Sequence, residues 1–369
     1  MRIHPLAYKC RIYPSKKQEE QLTQTLQICQ ELYNKLLAKY KEDCQNKKYI
    51  PTLKDYFQNL ALEYKQDSKS LQKLEESSIK DVINNLSKAI RQKANPQQVQ
   101  FKDERKRVNS FLLIDKPDIQ LNDKDITLEK YGKIKLRYGK SFSDKKILSY
   151  RIKKQCHIWF LIVTVKINSI QPFKKTGKKV GIDLGISHLI ILSNGKKYDP
   201  PNISEIELKI KNLKEKLSTK TYGSRAYNAT RDKLDKQKMH RQNIIIDYYH
   251  KLSTELVREY DFIAMESLNI QVMARDPRYK NQIYKANWQK FITMIKYKCE
   301  LYGKTFVQVE AKYPSSKICN SCGYKFNNLT IDVREWKCPN CTQINDRDVN
   351  AARNILKHAL NTQEKRITI

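Results

Sequence analysis

The chain of 369 residues holds 72 Lys and Arg against 39 Asp and Glu, a formal net charge of +33. An excess of that size repels itself unless a polyanion neutralises it, so an ordinary soluble enzyme is disfavoured; nucleic acid is the first partner to consider, an anionic membrane surface the second. No run of about 18 apolar residues is present for a transmembrane helix, and the opening Met1-Arg2-Ile3-His4-Pro5 lacks a signal peptide's apolar core. The expectation is a soluble, cytoplasmic, multidomain protein with no membrane partner. Of nine cysteines, Cys10, Cys29, Cys44, Cys156 and Cys299 are scattered and four are grouped. That pattern suits reduced thiols plus a metal site better than disulfides. Nine glycines in the whole chain disfavour a glycine-rich nucleotide-binding fold.

In chain order, Leu6–Tyr13 alternates like a strand, with Leu6, Tyr8, Cys10 and Ile12 on one face, and Pro14-Ser15 ends it. Ser15 and Gln18 have the spacing of a capping box. From Lys17 to about Lys93 apolar residues recur every three or four positions: Leu22 to Leu36, then Leu53, Phe57, Leu60 and Tyr64, then Ile79, Val82, Ile83, Leu86 and Ile90. These stripes are expected to form a helical bundle core. Pro96 marks a break, after which Phe111–Ile114, Ile134–Tyr138, Ile147–Ile152 and His157–Ile167 alternate as the strands of a small β-barrel or sheet. The N-terminal strand is expected to complete that sheet. Lys133, Lys135, Arg137, Lys140, Lys145, Lys146, Arg151, Lys153 and Lys154 put a basic face on it, either a guarded sheet edge or a nucleic-acid surface.

Gln171–Lys179 reads as a linker. Val180–Ile186 reads as a buried strand with a carboxylate, Asp183, in its middle, and Leu189–Leu192 as its hairpin partner across a turn at Ser187-His188. A buried carboxylate is costly unless it is ionised beside a cation or is protonated. Two helices follow, one striped by Ile206, Ile210, Leu213 and Leu217, the other long and basic from about Arg225 to Tyr260. Asp261–Met265 is a buried strand delivering Glu266 at its C-terminal end. A helix striped by Trp288, Phe291, Ile292, Ile295 and Cys299 stops at Gly303, Thr305–Val309 is one more strand, and a last helix spans about Val349 to Leu360 before a frayed tail.

Two constellations carry chemistry. Cys319-x2-Cys322 and Cys338-x2-Cys341 have the spacing of two knuckles that hold zinc tetrahedrally with no open position, a structural role. Such a metal folds a segment too small for its own core. The second constellation is acidic: Asp183, Glu266, and Asp346 or Asp348. They lie too far apart in the chain for any local geometry to join them, so only a sheet can gather them. Three converging carboxylates on a basic protein suit two Mg²⁺ ions roughly 4 Å apart, the arrangement that cleaves phosphodiesters in line. Each acid also has a structural role open to it, a helix N-cap for Asp346 or Asp348 and a strand-end hydrogen bond for Glu266.

Gly181-Ile-Asp183-Leu-Gly185, Ala264-Met-Glu266-Ser-Leu268, the cysteine knuckles and Asp346-Arg-Asp348-Val-Asn350-Ala-Ala352-Arg-Asn354-Ile355, in this order, resemble the TnpB (OrfB) proteins of bacterial insertion sequences, relatives of compact type V CRISPR nucleases. Tyr8 to Pro14 and Tyr33-Asn34 also look like that family's opening. The resemblance implies a mixed α/β, multidomain chain: an RNase H-like (RuvC) nuclease domain with an inserted zinc ribbon, preceded by a β-barrel wedge domain that carries a helical recognition insert. It divides the chain into residues 1–15 (first wedge strand), 16–100 (helical insert), 101–172 (wedge barrel), 173–312 (nuclease domain), 313–345 (ribbon, binding target nucleic acid) and 346–369 (last nuclease motif and tail). It implies an RNA-guided DNA endonuclease, encoded by a transposon of a bacterium or archaeon and nucleoid-associated. Such a protein takes a guide RNA from the transposon end and cuts target double-stranded DNA beside a short transposon-adjacent motif. The catalytic Mg²⁺ ligands it implies, with Mn²⁺ able to substitute, are Asp183, Glu266 and Asp348, the acid directly before x-N-A-A, with Asp346 as fallback. The Zn²⁺ ligands are Cys319, Cys322, Cys338 and Cys341. Pairing with the guide would read sequence while the protein reads the motif and duplex shape.

The sequence departs from the family pattern at Thr342 (usually glycine), Asn345 (often histidine) and Ser267 (commonly an acid). Three rivals remain: a guide-directed DNA binder without cleavage, which would have lost acids; an ATPase sharing G-I-D-L-G, which needs phosphate loops this chain lacks; and a DNA-joining transposase.

Overall fold

The computed structural model describes residues 5–367 apart from 48, 94, 104–106, 115–118, 138–140, 143–144, 167–170, 186–187, 268–274, 276, 278–282, 284–285 and 331–332. Tyr138, Lys140, Ile167, Ile186, Ser187 and Leu268 of the expectations above therefore lie outside the described residues. The chain forms two compact units, residues 1–168 and 169–369.

The first unit is a seven-stranded antiparallel sheet with four helices. Its strands are β1 (Pro5–Tyr13), β2 (Ser110–Ile114), β3 (Gln120–Leu121), β4 (Asp125–Leu128), β5 (Gly132–Arg137), β6 (Lys146–Gln155) and β7 (Ile158–Lys166), in the order β2-β6-β7-β1-β5-β4-β3. The N-terminal strand is not an added edge but the centre, paired with β7 on one side and β5 on the other. Its alternation explains this: Cys10 and Ile12 are buried while Lys9 and Arg11 point out. On β7 every second residue, Trp159, Leu161, Val163 and Val165, is buried. Among the described residues no pairing joins the edge strands β2 and β3. Cys156 and His157, both at positive φ, make the two-residue turn between β6 and β7. Strands β3 and β4 escape a periodicity reading because they are two and four residues long.

Helix α1 (Lys16–Gln45) starts at the expected capping box, Ser15 accepting from the Gln18 amide and Gln18 from the Ser15 amide. With α2 (Leu53–Asp67), the short α3 (Lys69–Gln72) and α4 (Glu76–Arg91) it packs the three apolar stripes into one core with the buried face of the sheet.

The second unit is built on a five-stranded sheet ordered β10-β9-β8-β11-β12: β8 (Lys179–Leu184), β9 (Ile190–Leu192), β10 (Lys197–Tyr198), β11 (Phe262–Glu266) and β12 (Thr305–Val309). Strands β8, β9 and β10 form an antiparallel meander, and β11 and β12 run parallel to β8. Around it lie α5 (Ser204–Ser218), α6 (Arg225–Glu259), α7 (Trp288–Tyr302) and α8 (Arg347–Ile367), and the hairpin β13 (Glu335–Lys337)–β14 (Ile344–Asp346) precedes α8. The central strands β8 and β11 are largely apolar on both sides, as parallel strands covered on both faces must be. Val180, Ile182, Leu184, Ile263 and Met265 face α6 and α7. Ala264, Phe262 and Val309 pack with Ile355 and Ala359 of α8 on the other face.

Three expectations change. Asp183 is not mid-strand but the penultimate residue of β8, paired with Ile191. The supposed linker is pinned: Phe173 stacks on Tyr302 at 3.9 Å, and the amides of Thr176 and Gly177 donate to Asp261 Oδ2 at 2.8 and 2.6 Å. Finally, α8 runs on to Ile367, since the stretch after Asn361 contains neither glycine nor proline to stop it.

Candidate functional site

The acid site grows from strand alternation on β8. Because side chains alternate, Gly181 and Asp183 point away from Val180 and Ile182, onto the face that α8 covers. Gly181 makes that cover possible: a Cβ there would overlap the Ala352 carbonyl oxygen and stand 2.9 Å from the Leu356 Cβ. On the neighbouring strand Met265 pairs with Ile182, so Glu266 follows beside Asp183 at the C-terminal ends of two parallel strands. The third acid comes from the first turn of α8, where Asp348 is the second residue.

Asp183 is 9% exposed. Burial first, then the charges of Glu266 and Asp348, push its carboxyl well above the ordinary carboxylate range, and the Leu184 amide, then Arg347, oppose this only in part. Burial likewise raises Glu266, against a hydrogen bond from the side chain of Ser315. A buried carboxyl raised by two acidic neighbours is a place where a cation would relieve the repulsion. Among the described residues the four cysteines alone draw three or more ligand atoms of this kind within 4.8 Å of one another, so the three carboxylates as a set stand wider apart.

Asp346 and Asp348 do different work. Asp346 Oδ1 accepts from the amides of Asp348 and Val349, at 3.0 Å each, and so caps α8. Its Oδ2 accepts from Lys197 Nζ at 2.7 Å. Burial raises the Asp346 carboxyl, but Lys197 and the capped amides outweigh it, and the net shift is downward. Asp348 lies near enough to Asp183 to raise its carboxyl, with Arg334 Nη1 at 3.5 Å from the Asp348 Oδ2.

The four cysteines stand together as their spacing predicts. Cys319 Sγ lies 3.6 Å from Cys341 Sγ and Cys322 Sγ 3.6 Å from Cys338 Sγ. All four are free thiols. A tetrahedron of thiolates at the usual zinc–sulfur distance has edges of ~3.8 Å, so the donor set fits zinc. Contacts with Asn340, then with the Tyr324 amide, pull Cys322 down to about 6. The ribbon has only a small apolar cluster of its own, Leu329 and Trp336 around Cys319 and Cys338. It is tied to α8 by two buried amides whose part the motif did not disclose. Asn350 accepts from the Asn320 amide at 2.9 Å and donates to Ile318 O at 2.7 Å, while Asn354 donates to the carbonyls of Ser315 and Ile318 at 2.8 and 2.6 Å. Their four-residue spacing on one helical face was the available signal. Lys197 gave none.

Three family models match the chain. One described as a helix-turn-helix domain (HTH_OrfB_IS605) covers residues 1–48, one described as a probable transposase (OrfB_IS605) covers 162–276, and a Cas12f1-like TNB domain covers 288–355. Within the first of these ranges the described residues form β1 and the single helix α1, with no break between residues 16 and 45. A putative RNA-guided DNA endonuclease of Streptomyces pristinaespiralis is 35% identical over 203 residues, 55% of this chain and 50% of that protein. The chain thus spans half the length of that relative. The putative RNA-guided DNA endonuclease InsQ of Escherichia coli K12 is 24% identical over 375 residues, 95% of this chain and 91% of its own length. Among solved structures, Cas12f1 in complex with sgRNA and target DNA has the same fold, with a TM-score of 0.63 at 13% identity over 96% of this chain and 98% of that one. With two OrfB models and the TNB model matched in order along its length, the chain is similar to the OrfB (TnpB) proteins of insertion sequences.

Proposed function

We propose that the chain is a transposon-encoded, RNA-guided DNA endonuclease that hydrolyses phosphodiesters at Asp183, Glu266 and Asp348. The observation that carries this reading is the placement of Asp183 and Glu266 at adjacent strand ends, under the helix turn that holds Asp348, with the buried carboxyl of Asp183 raised by both partners. Strand order in the second unit, a meander followed by two parallel strands with helices on both faces, fits the RNase H-like (RuvC) arrangement. In this reading the first unit is the wedge, its sheet the counterpart of the family's barrel, with α1–α4 as recognition insert, and residues 313–345 are the zinc ribbon that meets target nucleic acid. Relatives named as RNA-guided DNA endonucleases support the guide RNA and double-stranded DNA as partners.

Asp183, Glu266 and Asp348 would hold Mg²⁺, or Mn²⁺, which when bound activates water and stabilises the leaving oxygen. The protein's own part is to hold three carboxylates on rigid elements, where a bound cation would offset the burial and repulsion that otherwise favour protons. Lys and Arg in excess, +33 in sum, would hold the two phosphate backbones around the site. The cytoplasm, at the nucleoid, is where such a reaction belongs.

The test is cutting of a plasmid carrying the guide-matched site by the chain purified with its RNA. The expected result is a Mg²⁺-dependent break at that site, abolished by Asp183→Ala, Glu266→Ala or Asp348→Ala while RNA binding survives. Sequencing the co-purified RNA identifies the target through its 3′ end. A DNA-joining transposase, as one family description reads, would instead transfer the strands of element ends. Cutting by Asp183→Ala at the parental rate would overturn the assignment.

A further inference from the structure

Lys197 sits on β10, the outermost strand of the five-stranded sheet. It pairs with Ile191, and Ile191 pairs with Asp183. Residues directly opposite one another share a face, so Lys197 stands in the same cross-sheet row as Asp183, on the side that α8 covers. Its Nζ donates to Asp346 Oδ2 at 2.7 Å, and the other oxygen of that carboxylate accepts from the amides of Asp348 and Val349 at 3.0 Å each. One carboxylate therefore joins the sheet's far edge to the helix turn that carries Asp348.

We infer that Lys197 and Asp346 are positioning residues that fix the first turn of α8, so that the Asp348 carboxylate faces Asp183. The inference rests on Asp348 belonging to the metal-binding set. Stability alone gives the pair little reason to exist: the side chains are 35% and 42% exposed, and pairs so open to solvent contribute little. Geometry gives it one. Without the capping oxygen the amides of Asp348 and Val349 lose their acceptor and the first turn frays. Asp348 would then follow the other charge within its reach, Arg334 at 3.5 Å on the ribbon side. Lys197 also holds Asp346 in its capping role, which keeps that carboxylate from competing for the metal. Partners that orient a ligating carboxylate typically matter ten- to a hundredfold in metal affinity or activity.

The experiment compares Lys197→Met, Lys197→Arg, Asp346→Ala and the Lys197→Met/Asp346→Ala double variant with the parent and with Asp348→Ala, all as full chains with their co-purified RNA. Plasmid cutting is followed against Mg²⁺ concentration, and hydrogen exchange at the amides of Asp348 and Val349 is read beside it. Lys197→Met is expected to slow cutting about ten- to a hundredfold, to need more Mg²⁺, and to speed exchange at those two amides with little change in melting temperature. Lys197→Arg is expected to restore most of the rate. The double variant should be no slower than Asp346→Ala, because the lysine acts through the aspartate. Parental cutting and exchange in Lys197→Met, with Asp348→Ala inactive, overturns this inference alone. So does a double variant slowed by the product of the two single effects, which would put the lysine on the nucleic acid itself. Parental cutting by Asp348→Ala overturns the site reading and this inference with it.

Discussion

Once ionised, Asp183 weakens the sheet that holds it. Its carboxyl is raised above the value of an unfolded chain, by burial and then by Glu266 and Asp348. The folded chain therefore binds more protons than the unfolded one from about pH 4 upward. Stability from this group is complete below that pH and is lost as pH rises through the folded value. Asp183→Asn should accordingly raise the melting temperature of the metal-free chain, with a gap over the parent that widens from pH 4 toward neutrality, while cutting disappears. Melts across pH in the presence of a chelator, repeated with Mn²⁺, check this; a variant no more stable than the parent at pH 7 would mean that burial and its acidic neighbours do not burden Asp183. Thr342 is a second residue under strain. Its φ is 60°, in the left-handed region, and it is β-branched. The family's usual glycine has a physical reason here. Thr342→Gly should relieve about 1 kcal/mol of that strain and let the ribbon keep its zinc at higher chelator concentrations, and unchanged zinc retention would argue against strain at this turn.

At the scale of elements, α8 decides the second unit. One side of it closes over β8 through Gly181, its N-terminus carries Asp348, and Asn350 and Asn354 grip the first cysteine knuckle. Gly181→Ala puts a methyl group into the Ala352 carbonyl and the Leu356 side chain, where backbone cannot yield cheaply. The expected outcome is a loss of about 1–3 kcal/mol and a larger loss of cutting, because the helix that is pushed away is the one that brings the third acid. Melting and plasmid cutting measured on the same preparation separate the two, and an alanine variant cutting at the parental rate would show that α8 need not lie so close. The segment at residues 171–178 carries the opposite lesson. Lysine and proline make it look like a tether, yet Asp261 accepts from two of its amides and pairs with Lys304, so the segment is built into the base of β8 and β11.

For the molecule as a whole the charge balance is the governing fact. A chain at +33 that packs two cores must put nearly all of that charge at its surface. No helix of the described residues is long and apolar enough to cross a membrane. A polyanion that neutralises such a surface displaces counterions. Affinity for guide RNA or DNA should therefore fall about a thousandfold or more between ~50 and ~200 mM salt, as for six to ten phosphate contacts. Filter binding over a salt series measures the slope. A shallow one would mean that the excess charge serves solubility and not phosphate.

Several features were legible from local pattern alone. The capping box at Ser15 depends on residues three apart, and the three helical stripes repeat every turn. The cysteine knuckles need only short spacings and a hairpin to meet. The order of motifs pointed to the family, because each motif is a local demand on residue type. Other features lay beyond the sequence. It did not tell Asp346 from Asp348 on physical grounds, since both are acids at a helix start, and the choice rested on the family's position. Only the fold shows one carboxylate bound to the helix amides and Lys197, and the other near enough to Asp183 to raise it. Nor did it reveal that β1 lies at the centre of its sheet, or that Lys197 shares a row with Asp183, because strand pairing is a long-range choice set by which faces can be buried together.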